Sequence, residues 1–237
     1  LMSKQTDLIN VTDAITVSGS NVGIGTSSPT SYASTTLQIA GSSATSDLKM
    51  TNTTTGVGDT AGYDLELNGN DINYVNRTSG GNQKFWTNST ERLRIDATGA
   101  VTMPHQPAFL VAPSGAQSNI TVGNEVTVVF GTEIFDQNAD FASNQFTAPV
   151  TGRYQLNLTL YVNSLDSASD YYHIKIWTSN RIYSSVIDPG VLASDPVYWN
   201  IPIAVLADMD LGDIAKVTIK QNNGTAQTDI INETTFS

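Results

Sequence analysis

The stretch FASNQFTAPVTGRYQLNLTLYVN (residues 141–163) constrains the fold more than any other part of the chain. A turn at Asn144 and an aromatic at Phe146 lead into a Pro149–Gly152 corner, and a long alternating run follows. In that run Tyr154, Leu156, Leu158, Leu160 and Val162 share one parity, and Gln155, Asn157, Thr159 and Tyr161 share the other. Successive side chains of a strand point to opposite faces, so this pattern specifies one buried and one wetter face. No residue in it has the look of a catalyst.

The rest of the chain repeats the theme in shorter pieces. Amphipathic helical periodicity is absent, and brief apolar alternations are separated by Gly, Ser, Asn and Asp clusters, as in an all-β protein. Residues 15–24 (ITVSGSNVGI) and 93–103 (LRIDATGAVTM) share one form, a strand, a small polar turn and a second strand. LQIAGSSATSDLKM, between them, looks like the same unit with a longer turn. Each such hairpin has too little apolar area to stand alone and must pack on its neighbours or on identical chains. After Pro104 and Pro107 the strands lengthen: FLVA (109–112), VTVVF (126–130), YQLNLTLYV (154–162), YYHIKIWT (171–178), VYWNIPIAVL (197–206) and KVTIKQ (216–221). Strands in that number with Gly, Pro and Asp corners suggest a sandwich or jelly roll. Pro202 cannot donate to a ladder, so its strand is an edge or carries a bulge.

Charge and composition exclude several functions. Twenty-two acidic against 11 basic residues give a net charge of −11, which repels phosphate backbones and disfavours nucleic acid. There is no cysteine, so disulfides, thiolate nucleophiles and cysteine metal sites are ruled out. No apolar run has signal-peptide or membrane-span length, although Leu1 ahead of Met2 leaves an upstream leader open. Eight Asn-x-Ser/Thr sequons, at Asn10, Asn52, Asn76, Asn88, Asn119, Asn157, Asn223 and Asn232, read as chance in an Asn- and Thr-rich chain. NVGIGTSSP (21–29) has Gly23 and Gly25 but lacks the third glycine and the helix of a phosphate loop, and reads as a tight corner ended by Pro29.

The second half resembles the globular heads of the complement q subcomponent and the tumour-necrosis-factor superfamily. The resemblance is carried by PAFLVAP, VTVVFGTEIFDQNADF, NQFTAPVTGRYQLNLTLYV, MDLGDIAKVTIKQ and the final TTFS. The family's F-x-x-P-x-x-G-x-Y corner is matched by Phe146, Pro149, Gly152 and Tyr154, and its Leu-Gly-Asp turn by Leu211, Gly212 and Asp213. The family's closing strand begins Phe-Ser-Gly, and the sequence here reaches Phe236 and Ser237. In the first hundred residues, NVGIGTSSP and TNSTERLRIDATGAV are similar to repeats of bacteriophage tail fibres. Together the resemblances imply an N-terminal segment (1–30), a β-rich fibre domain (31–106) and a jelly-roll head (107–237), assembled as a homotrimer.

The resemblances also lead to the expectation of a non-enzymatic virion fibre or spike. It would contact other virion proteins through its N-terminus and a host glycan or protein through its head, without membrane insertion. The alternatives are a purely structural decorating or joining protein, or a bacterial surface adhesin. Phe109, Phe146, Tyr154 and Phe236 are the candidate core or trimer residues. A trimer contact of roughly 1,600 Å² per pair would give about 25 kcal/mol of gross hydrophobic gain, most of it offset on association.

For the receptor surface the candidates are Tyr171, Tyr172, Trp177, Tyr183, Tyr198 and Trp199, since flat rings beside Asn and Asp suit sugar recognition. Asp208, Asp210 and Asp213 read either as a calcium loop or as a solvated turn bent at Gly212, with Asp166 and Asp170 a second calcium candidate. No other cofactor is expected. His105 and His173, one per region and without cysteine, are surface or interface residues rather than zinc ligands. Gly-x-Ser-x-Gly is absent, and no carboxylate pair is placed by the sequence for glycoside hydrolysis.

Overall fold

The computed structural model describes residues 15–19, 21–26, 28–29, 37–41 and 43–237. The chain divides into two compact units, Leu1–Met103 and Pro104–Ser237. The expected 1–30 segment falls largely outside the described residues.

In the first unit β1 (Ile15–Ser18), β2 (Asn21–Ile24) and β3 (Leu37–Ile39) form one sheet, with β3 parallel to β2. Two antiparallel meanders follow: β4 (Thr45–Met50), β5 (Tyr63–Asn68) and β6 (Asp71–Asn76), then β7 (Gln83–Thr87), β8 (Thr90–Ile95) and β9 (Val101–Thr102). Residues 15–24 and 93–103 are hairpins, but 37–50 is not, because β3 and β4 belong to different sheets. Turn chemistry sets these registers. Asn88 and Ser89 both have positive φ, 50° and 57°, in a two-residue loop whose twist matches the strands it joins. Asp96 Oδ1 accepts from the Thr98 amide and hydroxyl and from the Ala100 amide, which closes the LRIDATGAV turn. Gly25, at φ 74°, lies so close to the Ala40 carbonyl that an added Cβ would come within 2.2 Å, so NVGIG is a steric corner.

The second unit is a jelly-roll sandwich. Its strands are β10 (Phe109–Ala112), β11 (Glu125–Thr127), β12 (Thr132–Asp136), β13 (Phe141–Ala142), β14 (Gln145–Thr147), β15 (Gly152–Asn163), β16 (Tyr171–Thr178), β17 (Ile182–Ile187), β18 (Tyr198–Met209), β19 (Ile214–Asn222), β20 (Asp229–Ile230) and β21 (Thr235–Phe236). One sheet runs β12-β10-β21-β15-β18 and the other β13-β14-β19-β16-β17, with β20 on β15 and β11 on β19. The chain passes repeatedly between the sheets, with its longer crossings at β10–β11, β15–β16 and β17–β18, as in a Greek-key sandwich. Pro202 lies opposite Thr159 in β18, the edge strand, in an unbroken register of twelve pairs with β15.

The parity of residues 154–162 holds. Leu156, Leu158, Leu160 and Val162 are buried, and the intervening residues are not. Phe109, Phe146 and Phe236 join Phe130 and Phe141 in one interior cluster, with Phe109 stacked on Phe146 at 5.0 Å and Phe236 edge-on to Phe109 at 5.2 Å. A single copy therefore buries these rings without a trimer. Tyr154 is half-buried against Phe146 and donates its hydroxyl to the Val150 carbonyl at 2.6 Å.

The two motifs behind the head resemblance form one unit. Ala148, in the Pro-Gly corner, accepts from the Gly212 amide and donates to the Asp213 carbonyl, each at 2.8 Å, and Thr151 Oγ1 accepts from the Leu211 amide. β21 pairs with Leu158 and Thr159 of β15, and Ser237 exchanges backbone hydrogen bonds with Asn157. Beside residues 152–156 lies a cleft of about 400 Å³ lined by Pro107, Phe109, Phe146, Tyr154 and Leu156.

Candidate binding surfaces

The meanders of the first unit expose the wrong face for an isolated soluble sheet. Cross-strand register puts Leu48, Leu65 and Tyr74 in one row and Leu67 opposite Ile72 in the next, with Met50 opposite Tyr63. These share one side. The other side carries Asp47, Lys49, Asp64, Glu66 and Asn73. Asp64 is fully buried between Lys49 and Arg77, and Arg77 also reaches Glu66 at 2.9 Å. Hydrogen bonding to Asp64, followed by its charge, raises the Arg77 guanidinium above its usual range against the cost of burial. Leu48, Met50, Leu67, Ile72 and Tyr74, by contrast, are all exposed, from 47% to 64%. Asp64 is thus covered, with Lys49 and Glu66 partly so, while hydrocarbon faces outward.

The next meander repeats this arrangement in part, with exposed Trp86 opposite Glu91 on its ion-paired side. Phe85 faces Leu93, and Ile95 faces Val101, on one side; on the other Glu91 pairs with Lys84 at 3.1 Å and Arg94 at 2.7 Å. Phe85 and Val101 are more than half exposed. Among the described residues of the first unit, glycines aside, Ala61 and Pro29 are the buried apolar residues, so this unit has no core of its own.

In the head, the six ring candidates separate by strand parity. Tyr172 alternates inward with Ile174 and Ile176 and is fully buried, its hydroxyl 2.6 Å from Thr228 Oγ1 and accepting from the Asp166 amide at 2.9 Å. It is a core residue, and its place among the receptor contacts is corrected on that ground. Trp199 and Tyr183 pack against the core and are partly covered. Tyr198 is exposed beside Tyr161, with ring centroids 6.0 Å apart. Tyr171 and Trp177 face outward on the opposite sheet.

Four of the five candidate carboxylates, Asp208, Asp213, Asp166 and Asp170, are engaged by protein groups. Asp208 receives both Arg181 Nε and Nη2 at 2.8 Å, which lowers its pKa to about 2. Asp213 Oδ2 accepts from the Asp210 amide at 2.8 Å, and Gly212 has φ 88°, the geometry of a turn. Asp166 is buried and accepts from the amides of Ala168, Thr225 and Ala226, pinning residues 166–170 to 223–228. Asp170 binds the side-chain amides of Asn222 and Asn223. Amide donors aimed at these oxygens take the lone pairs a cation would use. Among the described residues no three His, Asp or Glu side chains gather as a metal requires. His105 is exposed. His173 lies on the outer face of β16, and burial, then Lys175, push its pKa down.

No protein-family model and no curated protein matches this chain. Among solved structures it is similar to the globular domain of zebrafish complement 1qA protein: 20% identity over 55% of this chain and 94% of that one, TM-score 0.40. Murine APRIL is 12% identical over 55% and 96%, TM-score 0.37, and the xylan-binding module CBM15 is 13% identical over 55% and 95%, TM-score 0.28. At these scores the jelly-roll assignment rests on this chain's own strand order and register.

Proposed function

We propose that the chain is a non-enzymatic, self-associating fibre or spike protein, homotrimeric and carried on a virion, whose head contacts the host surface. The observation that carries the reading is the inverted exposure of the two meanders. Sheets whose ion-paired side is partly covered, with Asp64 buried, while Leu, Ile, Phe and Tyr face outward are stable only if another surface covers the apolar side. Covering the five most exposed side chains of β4–β6 alone contributes about 5–8 kcal/mol per copy. Identical chains supply that surface with the right chemistry, and closed symmetry prevents unlimited growth.

The head offers a second contact of the same kind on its β15/β18 sheet, where Tyr161, Tyr198, Pro202 and Leu206 face outward. Three copies would present three binding heads on one axis, raising avidity by about 10²–10⁴ over one head. Fibre-like repeats placed ahead of a complement-like head support the virion assignment. A protein that only joins or decorates particles would share the self-association and lack the adhesion.

The test is molar mass across a dilution series, together with adhesion of the labelled protein to host cells. A species of three times 25.3 kDa that adheres supports the reading. A single 25.3 kDa species at micromolar concentration sinks self-association, and a trimer that adheres to no host surface sinks the receptor role.

A further inference from the structure

The outer face of the β16/β19 sheet concentrates the head's positive charge. Pro104–Ser237 contains five Lys and Arg side chains (Arg153, Lys175, Arg181, Lys216, Lys220) against thirteen Asp and Glu. Three of the five point outward from these two adjacent strands, in the register Trp177–Lys216, Lys175–Thr218 and His173–Lys220. Lys175 is neutralised by Glu125 at 2.9 Å. Lys216 and Lys220 have no carboxylate partner among the described residues. Each lies instead over a ring, Lys216 Nζ 5.5 Å from the centroid of Trp177 and Lys220 Nζ 6.0 Å from that of Tyr171.

The result is one motif laid down twice, a ring with an ammonium group above it. Lys216 and Lys220 are four residues apart on a straight strand, about 13 Å, and Trp177 and Tyr171 are six apart on the next, about 20 Å. Ile174, Ile176, Val217 and Ile219 beneath them are fully buried, which holds the spacing rigid. His173 lies between the couples, its pKa lowered by burial and by Lys175 and Lys220, so at neutral pH it offers an uncharged ring to a hydroxyl.

We propose that this face binds a linear anionic polysaccharide lying along β16 and β19, each Lys–aromatic couple taking one acidic sugar. The proposal rests on the reading of the head as the binding part and names the class of its ligand. A repeated couple on a flat sheet selects a repeating polymer. Sparse carboxylates separated by C–H-rich ring faces match Lys216 and Lys220, which are separated by the mutually neutralised Lys175–Glu125 pair over buried Thr218, with the aromatic rings supplying apolar contact. Nucleic acid matches poorly, because its closely spaced phosphates need many successive cations and the acidic remainder of the head repels them. That same acidity keeps a polyanion off the rest of the surface and orients it here.

The experiment measures binding of the full chain to polygalacturonate and to its methyl ester, the same polymer with its charge removed, at several salt concentrations. Polygalacturonate is expected to bind at least tenfold more tightly than the ester, and less tightly as salt rises. Lys216→Gln and Lys220→Gln should each weaken it about tenfold with melting temperature unchanged. Trp177→Ala should weaken both polymers and leave the salt dependence as it was. Equal affinity for the two polymers, or indifference to the double lysine variant, overturns the proposal. Tighter binding of single-stranded DNA or polyglutamate than of polygalacturonate overturns the choice of polysaccharide. Molar mass is read on the same samples: an intact trimer without binding defeats this inference alone, whereas a monomer that binds defeats the fibre reading and leaves this one standing.

Discussion

Leu65→Asp separates a covered apolar face from a solvated one. Leu65 is on the central strand of its meander, between Leu48 and Tyr74, and is 38% exposed in a single copy. Were this face wet, the change would add a carboxylate to a surface and alter stability by about 0.5 kcal/mol. Against a second copy's leucines the same carboxylate is buried without a partner, which costs at least about 3 kcal/mol per chain. Three chains make that roughly 9 kcal/mol per trimer, or between about 10⁶- and 10⁷-fold in the association constant. Sedimentation equilibrium from nanomolar to roughly 50-micromolar protein resolves a shift of that size. Asp47→Asn, on the ion-paired side of the same sheet, is the control and should leave the mass unchanged. If Leu65→Asp leaves both oligomer mass and melting curve as in the parent protein, inverted exposure does not mark a covered face.

Two further outcomes are expected. Asp166→Ala removes the acceptor of three backbone amides in a buried site and should destabilise the head by about 3–5 kcal/mol, seen as a large fall in melting temperature with the oligomer otherwise intact. The Asp208–Arg181 pair should titrate in acid. The folded-state pKa of Asp208 is depressed to about 2 from 3.8, so its contribution is full above about pH 4 and disappears as pH falls through about 2. Side-chain NMR should find that midpoint in the parent and one near the ordinary carboxylate value in Arg181→Gln.

Strand parity was legible wherever an apolar alternation ran long enough. Residues 154–162 fixed their own inward face, and Pro202 pointed to an edge strand or a bulge before any sheet order was known. Parity also held information about Tyr172, which alternates with Ile174 and Ile176, but aromatic composition drew all six rings together as candidates. The strands Thr132–Asp136 and Ile182–Ile187 lacked a strong apolar period, because each lies at a sheet edge and is largely exposed. Asp166 resembled a metal ligand because a sequence cannot reveal which oxygens are already taken by amides from residues 225 and 226.

The order of residues alone determined an all-β chain without thiols, acidic overall, with a core-forming second half and a first half too poor in local apolar area to stand by itself. Tertiary structure alone decided which side of each meander leaves its apolar side chains exposed, and that Asp64 rather than the leucines is covered. It also brought Lys216 and Lys220 over rings some forty to fifty residues away in sequence. The physical reason is register: local pattern sets which side chains share a face, while pairing with a distant strand sets what lies beside each of them and which face is left for a partner.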